Sequence, residues 1–461
     1  MTRKLLSGLG AALLVTACAT QLQDAPEQEE VLEDALPDST AVRAEWAAPA
    51  DDTGEVDDGW LASFEDEQLN ALVAEALDTQ NPNMRVLSAQ VDRAEASTRL
   101  ASAALKPTVG VGGGLSGTAG PEAVQQEVAG GGFAASWQPD IWGRVQAGVN
   151  AADENYRATT ADFQFARMSL VANVAKAWYV ATELSLQVAL ADEIVGILEE
   201  TVSLVEKKES VGQVSMQDVN LVRADLASAR NGLEQARGGQ QQARRALEIL
   251  LGRYPAGEIE TATGLIPVPP PIPTGLPSDL LERRPDLMAA NRRVAAAFFM
   301  SEQARLARLP TFSLNLAAGG ARGLDEAIGS LTAGAFAPLY TGGAIEAQID
   351  IANADQQAAI GAYGAAVLGA FEDVETALTN EDLLQRREAF ISTSVDNNLQ
   401  AYNLARKQYD VGQIDLLSVL QMQSRWTGAR VTQVNIKNQR LAQRIDLHLA
   451  LGGSFETEQG E

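Results

Sequence analysis

The stretch Lys207-Lys208-Glu209-Ser210-Val211-Gly212-Gln213 decides the fold, because its pattern recurs. Two hundred residues further on, the chain reads Arg406-Lys407-Gln408-Tyr409-Asp410-Val411-Gly412-Gln413. Glycine takes the left-handed conformation that ends a helix and reverses the chain. Helical sequence resumes beyond each site, as Met216-Gln217-Asp218-Val219 and as Leu416-Leu417-Ser418-Val419. Each site therefore reads as the tip of a helical hairpin, and the pair reads as a duplication.

The punctuation on either side of the two tips repeats as well. Pro285 matches Pro82 and Pro310 matches Pro107, both at an offset of 203. Trp137-Gln138-Pro139 matches Phe336-Ala337-Pro338, and Gly143 matches Gly342, at 199. Gly212 matches Gly412, and Leu251-Gly252 matches Leu451-Gly452, at 200. Agreement at so many breakpoints marks an internal repeat. Between the breaks, helices are expected over Pro82–Leu105, Ile141–Lys208 and Met216–Leu251, stopped by proline and glycine. The middle one would be roughly 100 Å long. The two shorter ones together hold 60 residues and could lie end to end beside it.

The texture changes after each Lys106-Pro107-type break. Val109 and Val111 alternate through a glycine-rich run, and Phe133, Ala135 and Trp137 share a face. Phe312, Leu314 and Leu316 alternate with Ser313 and Asn315. Each repeat thus predicts one β-hairpin. No segment beyond the N-terminus has 18 consecutive apolar residues, so no transmembrane helix is expected. Four strands cannot close a barrel, and an open edge is not tolerated in lipid. Three copies of the chain would supply twelve strands.

Composition narrows the function. A net charge of -26 argues against nucleic acid as a partner. One cysteine, Cys18, leaves no disulfide within the chain. One histidine, His448, set among Leu447, Leu449 and Leu451, reads as a helix-packing residue rather than a metal ligand or acid–base group. Gly112-Gly113-Gly114 and Gly130-Gly131-Gly132 lack the lysine and helix start of a phosphate loop. Glu199-Glu200 reads as a solvated helix face. No catalytic constellation, metal site or cofactor motif is expected.

At the N-terminus, Arg3-Lys4 precedes a short apolar run, Leu5 to Ala17, which is too short to span a bilayer. It ends Val15-Thr16-Ala17-Cys18, which resembles a bacterial lipoprotein signal with Cys18 as the acylated residue. Ala19, in place of the aspartate that retains lipoproteins at the inner membrane, favours the outer membrane. From Asp24 to Asp58 there are thirteen acidic residues against the single basic Arg43. Such a segment is expected to be an extended or disordered tether. The domain reading follows: signal peptide 1–17, acidic tether 18–59, first repeat 60–252, proline-rich linker 253–280, second repeat 281–453 and flexible tail 454–461. The hairpins fall near 107–139 and 310–338, and the tips at 211–213 and 411–413.

Several motifs carry a family resemblance: Gly59-Trp60 with Phe64, Asn81-Pro82, Leu105-Lys106-Pro107, Asp140-Ile141-Trp142-Gly143 and Leu281-Glu282-Arg283-Arg284-Pro285-Asp286. With them the chain resembles the TolC-type outer membrane efflux proteins, in the NodT-like lipoprotein branch, from Trp60 to Gly453. The resemblance implies a mainly α homotrimer, with a 12-stranded membrane β-barrel, a periplasmic α-barrel and an equatorial region that includes the linker. It implies a passive exit duct for small molecules, coupled through a periplasmic adaptor protein to an inner-membrane pump of the RND type. A duct for type I protein secretion and a poreless coiled-coil scaffold are the alternatives.

The same resemblance assigns sites. Val211, Gly212, Gln213, Val411, Gly412 and Gln413 would meet the adaptor. Asp218, Tyr409, Asp415, Ser418 and Gln421 would surround the periplasmic gate. Ile414 stands where TolC carries a gating arginine, and Ser418 and Gln421 stand where it carries ring aspartates, so the gate's chemistry transfers only in part. A hydrogen bond from Tyr409 to Asp218 is expected to hold the two hairpins together.

Overall fold

A computed structural model describes residues 23–37, 40, 42–49, 54, 56, 58–116, 128–321 and 328–456. Cys18 and the signal segment lie outside the described residues. Two compact units emerge. The first draws on Met1–Ala41, Ala89–Asp162 and Asp286–Ala366, and the second on Val42–Ser88, Phe163–Pro285 and Val367–Glu461.

The helices, in chain order, are α1 (Gln28–Ala35), α2 (Glu67–Ala76), α3 (Pro82–Ala103), α4 (Arg144–Ser210), α5 (Met216–Leu250), α6 (Leu280–Arg283), α7 (Pro285–Leu306), α8 (Ala344–Asp410) and α9 (Leu416–Ala450). The strands are β1 (Thr108–Ser116), β2 (Val128–Trp137), β3 (Thr311–Ala321) and β4 (Ile328–Phe336). α4 and α8 are each 67 residues long, and α5 and α9 are each 35. The duplication is thus carried in element lengths as well as breakpoints. No helix among the described residues is long and apolar enough to cross a membrane.

The first unit holds one antiparallel sheet of order β1-β2-β3-β4. β2 pairs with β3, so the two repeats meet in a single sheet. The register sorts the side chains by period-two alternation. Val111 lies opposite Phe133, which lies opposite Ala318; Trp137 lies opposite Leu314, and Leu316 opposite Leu331. These residues share one face, and it is apolar. Ser136 lies opposite Asn315, which lies opposite Thr332, and Gly112 lies opposite Gly132. They share the other face, which is polar or small apart from Ile328 and Phe336 on β4. Ser136 Oγ donates to Asn315 Oδ1 at 2.9 Å. In the same unit, alanine lets α4 and α7 approach closely: Ala158, Ala161 and Ala289 form a buried cluster.

The second unit has the larger core, with Trp60, Phe64, Leu69, Trp178, Leu247 and Ile445 in one cluster. Asp66 caps α2 by accepting from Leu69 N at 3.0 Å, and it also accepts from Trp178 Nε1 at 2.8 Å. His448 is 3% exposed and stacks on Trp60 with ring centroids 5.4 Å apart. The Arg283-Arg284 pair of the family motif also acts here. Arg284 is buried and donates to Asp373 Oδ2 at 3.0 Å and to Ala450 O at 3.3 Å.

Two expectations need correction. The acidic segment is not a free tether throughout, because Val31 is buried in the first unit and Val56 in the second. A few apolar residues and backbone donors dock it, while its described acids stay exposed. The tail also begins ordered: Ser454 N donates to Asp58 Oδ1 at 2.8 Å and Arg167 pairs with Glu456 at 2.7 Å. The linker, for its part, lies against the body. Glu248 accepts from Gly257 N and Glu258 N at 2.6 and 2.8 Å, and Ile259 is buried.

Candidate functional site: the paired helical tips

The tips lie in the second unit, where α4 turns into α5 and α8 turns into α9. Gly212 has φ of 74° and Gly412 has φ of 77°. The closing bonds are the same at both turns. Gly212 N donates to Glu209 O at 2.8 Å and Gln213 N to Lys208 O at 2.9 Å. Gly412 N donates to Tyr409 O at 3.0 Å and Gln413 N to Gln408 O at 2.9 Å. This pattern satisfies the last helical carbonyls. A Cβ on either glycine would meet nothing within 4 Å. Glycine is therefore required by the backbone and not by crowding within the chain. Val211 and Val411 are 68% and 71% exposed, so two apolar side chains stand in solvent beside the turns.

The helices that leave the turns are capped by the same two residue types in exchanged places. Ser215 caps α5, with its Oγ accepting from Asp218 N at 3.3 Å, while Asp218 Oδ2 accepts from Ser215 N at 2.9 Å and from Ser215 Oγ at 2.8 Å. At the repeat offset of 200, Asp415 replaces Ser215 and Ser418 replaces Asp218. Asp415 Oδ1 accepts from Ser418 N at 2.9 Å. Hydrogen bonds from the Ser418 side chain and backbone hold the Asp415 carboxyl below the usual range. Each acid also meets the positive end of a helix dipole.

The two hairpins join through apolar contact. Leu416 and Leu420 of α9 are buried in a cluster with Val205, Val219 and Val222 of α4 and α5. Leu417 is exposed. Tyr409 packs on this cluster, and Lys208 Nζ lies 4.0 Å from its ring centroid. A cavity of about 700 Å³ lies among Lys208, Gly212, Asp218, Tyr409, Gly412 and Asp415.

The expected Tyr409–Asp218 hydrogen bond is absent. The Tyr409 hydroxyl is buried and has no hydrogen-bond partner. The Asp218 carboxylate turns to Ser215, a residue three positions away that reaches it without crossing between hairpins. Burial raises the Tyr409 pKa, and the charges of Asp218 and Asp410 raise it further. Gln421 is exposed.

The profile of the family described as outer membrane efflux protein matches residues 72–253 and 276–453. The chain belongs to this family. It is an outer membrane channel protein and not an enzyme. Over 436 residues it is 28% identical to the pyoverdine export outer membrane protein OpmQ of Pseudomonas putida, covering 90% of this chain and 92% of that protein. It is 28% identical over 415 residues to the cation efflux system protein CusC of Escherichia coli, covering 86% and 88%. Among solved structures, the open state of the MtrE outer membrane channel of Neisseria gonorrhoeae matches with a TM-score of 0.79 at 25% identity, over 92% of this chain and 99% of that one.

In this outer membrane efflux protein the sheet imposes a second backbone constraint. At its centre Gly132 and Gly319 are direct partners. A Cβ on Gly132 would sit 2.4 Å from Ala318 O, and one on Gly319 would sit 2.8 Å from Gly131 O. The seam between the repeats thus closes only with glycine on both sides. Among the described residues, no group of three or more His, Cys, Asp or Glu is placed to hold a metal.

Lys208 and Ser215 join the tip site without belonging to the residues the family resemblance assigns to it. For Ser215 the signal was present: Ser215-Met216-Gln217-Asp218 has the spacing of a capping box. For Lys208 no local pattern gives its position over a ring two hundred residues away.

Proposed function

We propose that this outer membrane channel is the passive exit duct of a tripartite efflux system, working as a homotrimer anchored by an acylated Cys18. The sheet carries the reading. It is apolar on one face and mostly polar or small on the other, and each outer strand, β1 and β4, has one edge without a partner among the described residues. In lipid such edges must be closed. Three chains would give a 12-stranded barrel with Val111, Phe133, Trp137 and Leu331 toward lipid and Ser136, Asn315 and Thr332 toward the lumen. The likeness to proteins named for pyoverdine export and cation efflux supports small molecules as cargo.

The tips would dock a periplasmic adaptor that couples the duct to an inner-membrane pump of the RND type. Their exposed valines and unobstructed glycine turns support this role. Asp218, Tyr409, Asp415, Ser418 and Gln421 would lie at or near the periplasmic gate. The deciding experiment is conductance of purified protein in a planar bilayer, with its mass in detergent measured in parallel. Discrete channels from a species of three chains are expected. A monodisperse monomer without conductance would remove the reading.

A further inference from the structure

The acidic N-terminal segment contributes an unexpected set of contacts to the second unit. Trp46 Nε1 donates to Thr274 O at 3.3 Å and to Gly275 O at 3.2 Å, and its ring meets Phe371 edge-on at 6.3 Å. Ala47 N and Ala48 N each donate to one oxygen of Glu375, both at 2.7 Å. One carboxylate on α8 thereby holds two consecutive backbone N–H groups. Gly275 N donates to Gly54 O at 3.1 Å. Val56 is buried with Leu280, Val374, Leu378, Leu447 and Leu451. Asp58 Oδ1 accepts from Arg283 at 3.0 Å and from Ser454 N at 2.8 Å. Gly59 N returns a bond to Ser454 O at 2.8 Å.

These contacts reach three separate parts of the chain: the linker between repeats, the middle of α8, and the residues that follow α9. Hydrogen bonds to a charged group are stronger than neutral ones, and the apolar burial of Val56 between them links their fates. We propose that the described residues between Trp46 and Asp58 act as one cooperative clasp, which fastens the linker, α8 and the end of α9 together and comes off as a unit. The clasp holds the root of the α8–α9 hairpin, 33 residues before Val411 when counted from Leu378. Any pull on the N-terminal segment is therefore delivered to that root.

Amide hydrogen exchange on the full-length protein tests the clasp. Glu375→Gln replaces one acceptor with a donor that faces a backbone N–H. Trp46→Phe keeps the ring and removes its N–H, so it serves as a milder second variant. If the clasp is one unit, both variants raise exchange about tenfold or more at Gly275 and Ser454 as well as at Ala47 and Ala48. Trypsin cleavage after Arg43, the single basic residue between Asp24 and Asp58, accelerates in step. Faster exchange confined to Ala47 and Ala48, with Gly275 and Ser454 as in the wild type, overturns the proposal.

Discussion

Lys208 Nζ stands 4.0 Å from the centroid of the Tyr409 ring, and this contact joins the last turns of α4 and α8. A cation over an aromatic face in a partly exposed site is worth about 0.5–1 kcal/mol. The ring matters to this contact and the hydroxyl does not. Tyr409→Phe is therefore expected to leave single-channel conductance unchanged. Tyr409→Leu removes the ring's face and is expected to raise the open fraction, as is Lys208→Met to a smaller degree. Increased conductance in Tyr409→Phe alone would show that the hydroxyl, and not the ring, holds the tip.

The exchanged caps make a separate prediction. Ser215→Ala removes the acceptor for Asp218 N and should cost about 1 kcal/mol locally. Amide exchange in the first turn of α5 would report it. Because Asp415 and Ser418 use the same two chemistries in reverse, the double variant Asp415→Ser with Ser418→Asp is expected to exchange like the wild type. Asp415→Ala alone is expected to exchange faster. A double variant as labile as Asp415→Ala would mean that the carboxylate does more than cap.

At the turns, intrachain crowding is absent, so side-chain size separates folding from docking. Gly412→Ala should cost only the left-handed backbone penalty, roughly 1 kcal/mol. Gly412→Trp incurs a similar penalty within the chain and blocks close approach by a partner. Resistance in cells should survive the first substitution and fail with the second, while both proteins insert normally. Full resistance with Gly412→Trp would withdraw the docking assignment.

What the sequence made legible follows from which physics is local. Positive φ is a property of single residues, so Gly212 and Gly412 marked their turns without tertiary help. Alternation is also local, and Phe312-Ser313-Leu314-Asn315-Leu316 read directly as a two-faced strand. The β2–β3 pairing and the clasp were not legible, because they depend on backbone groups distant in sequence. The acid count of the N-terminal segment hid the few residues, Val31, Trp46 and Val56, that dock it. The Tyr409–Asp218 hydrogen bond fails for a different reason: the Asp218 carboxylate accepts from Ser215 in its own turn.

The sheet offers an internally controlled test of the seam between repeats. Gly112 and Gly132 lie directly opposite each other on one face of the sheet. A Cβ on Gly112 meets nothing within 4 Å, whereas one on Gly132 sits 2.4 Å from the carbonyl oxygen of Ala318. Backbone cannot yield as a flexible side chain does. Gly112→Ala is expected to assemble and insert like the wild type, and Gly132→Ala to lose most heat-resistant oligomer on a gel. Equal assembly would show that β2 and β3 can separate without loss.

His448 gives the pH prediction. Its imidazole is 3% exposed, lies against Trp60, and has no hydrogen-bond partner on either nitrogen. Burial, aided by the charge of Arg444, lowers its pKa to about 3. In the unfolded chain a histidine titrates near 6.5. Between those values the unfolded state binds a proton that the folded state refuses, so acid favours unfolding. Stability is fully present above about pH 6.5 and falls by up to ~1.4 kcal/mol per pH unit below it. From pH 7.5 to 5.5 most carboxylates stay ionised, so the histidine can be read without them. His448→Phe keeps a ring against Trp60 and has no proton to gain. Thermal unfolding of the purified protein should show a midpoint that drops over this interval in the wild type and drops less in His448→Phe. Parallel losses in the two proteins would mean that the imidazole is not held neutral by its surroundings.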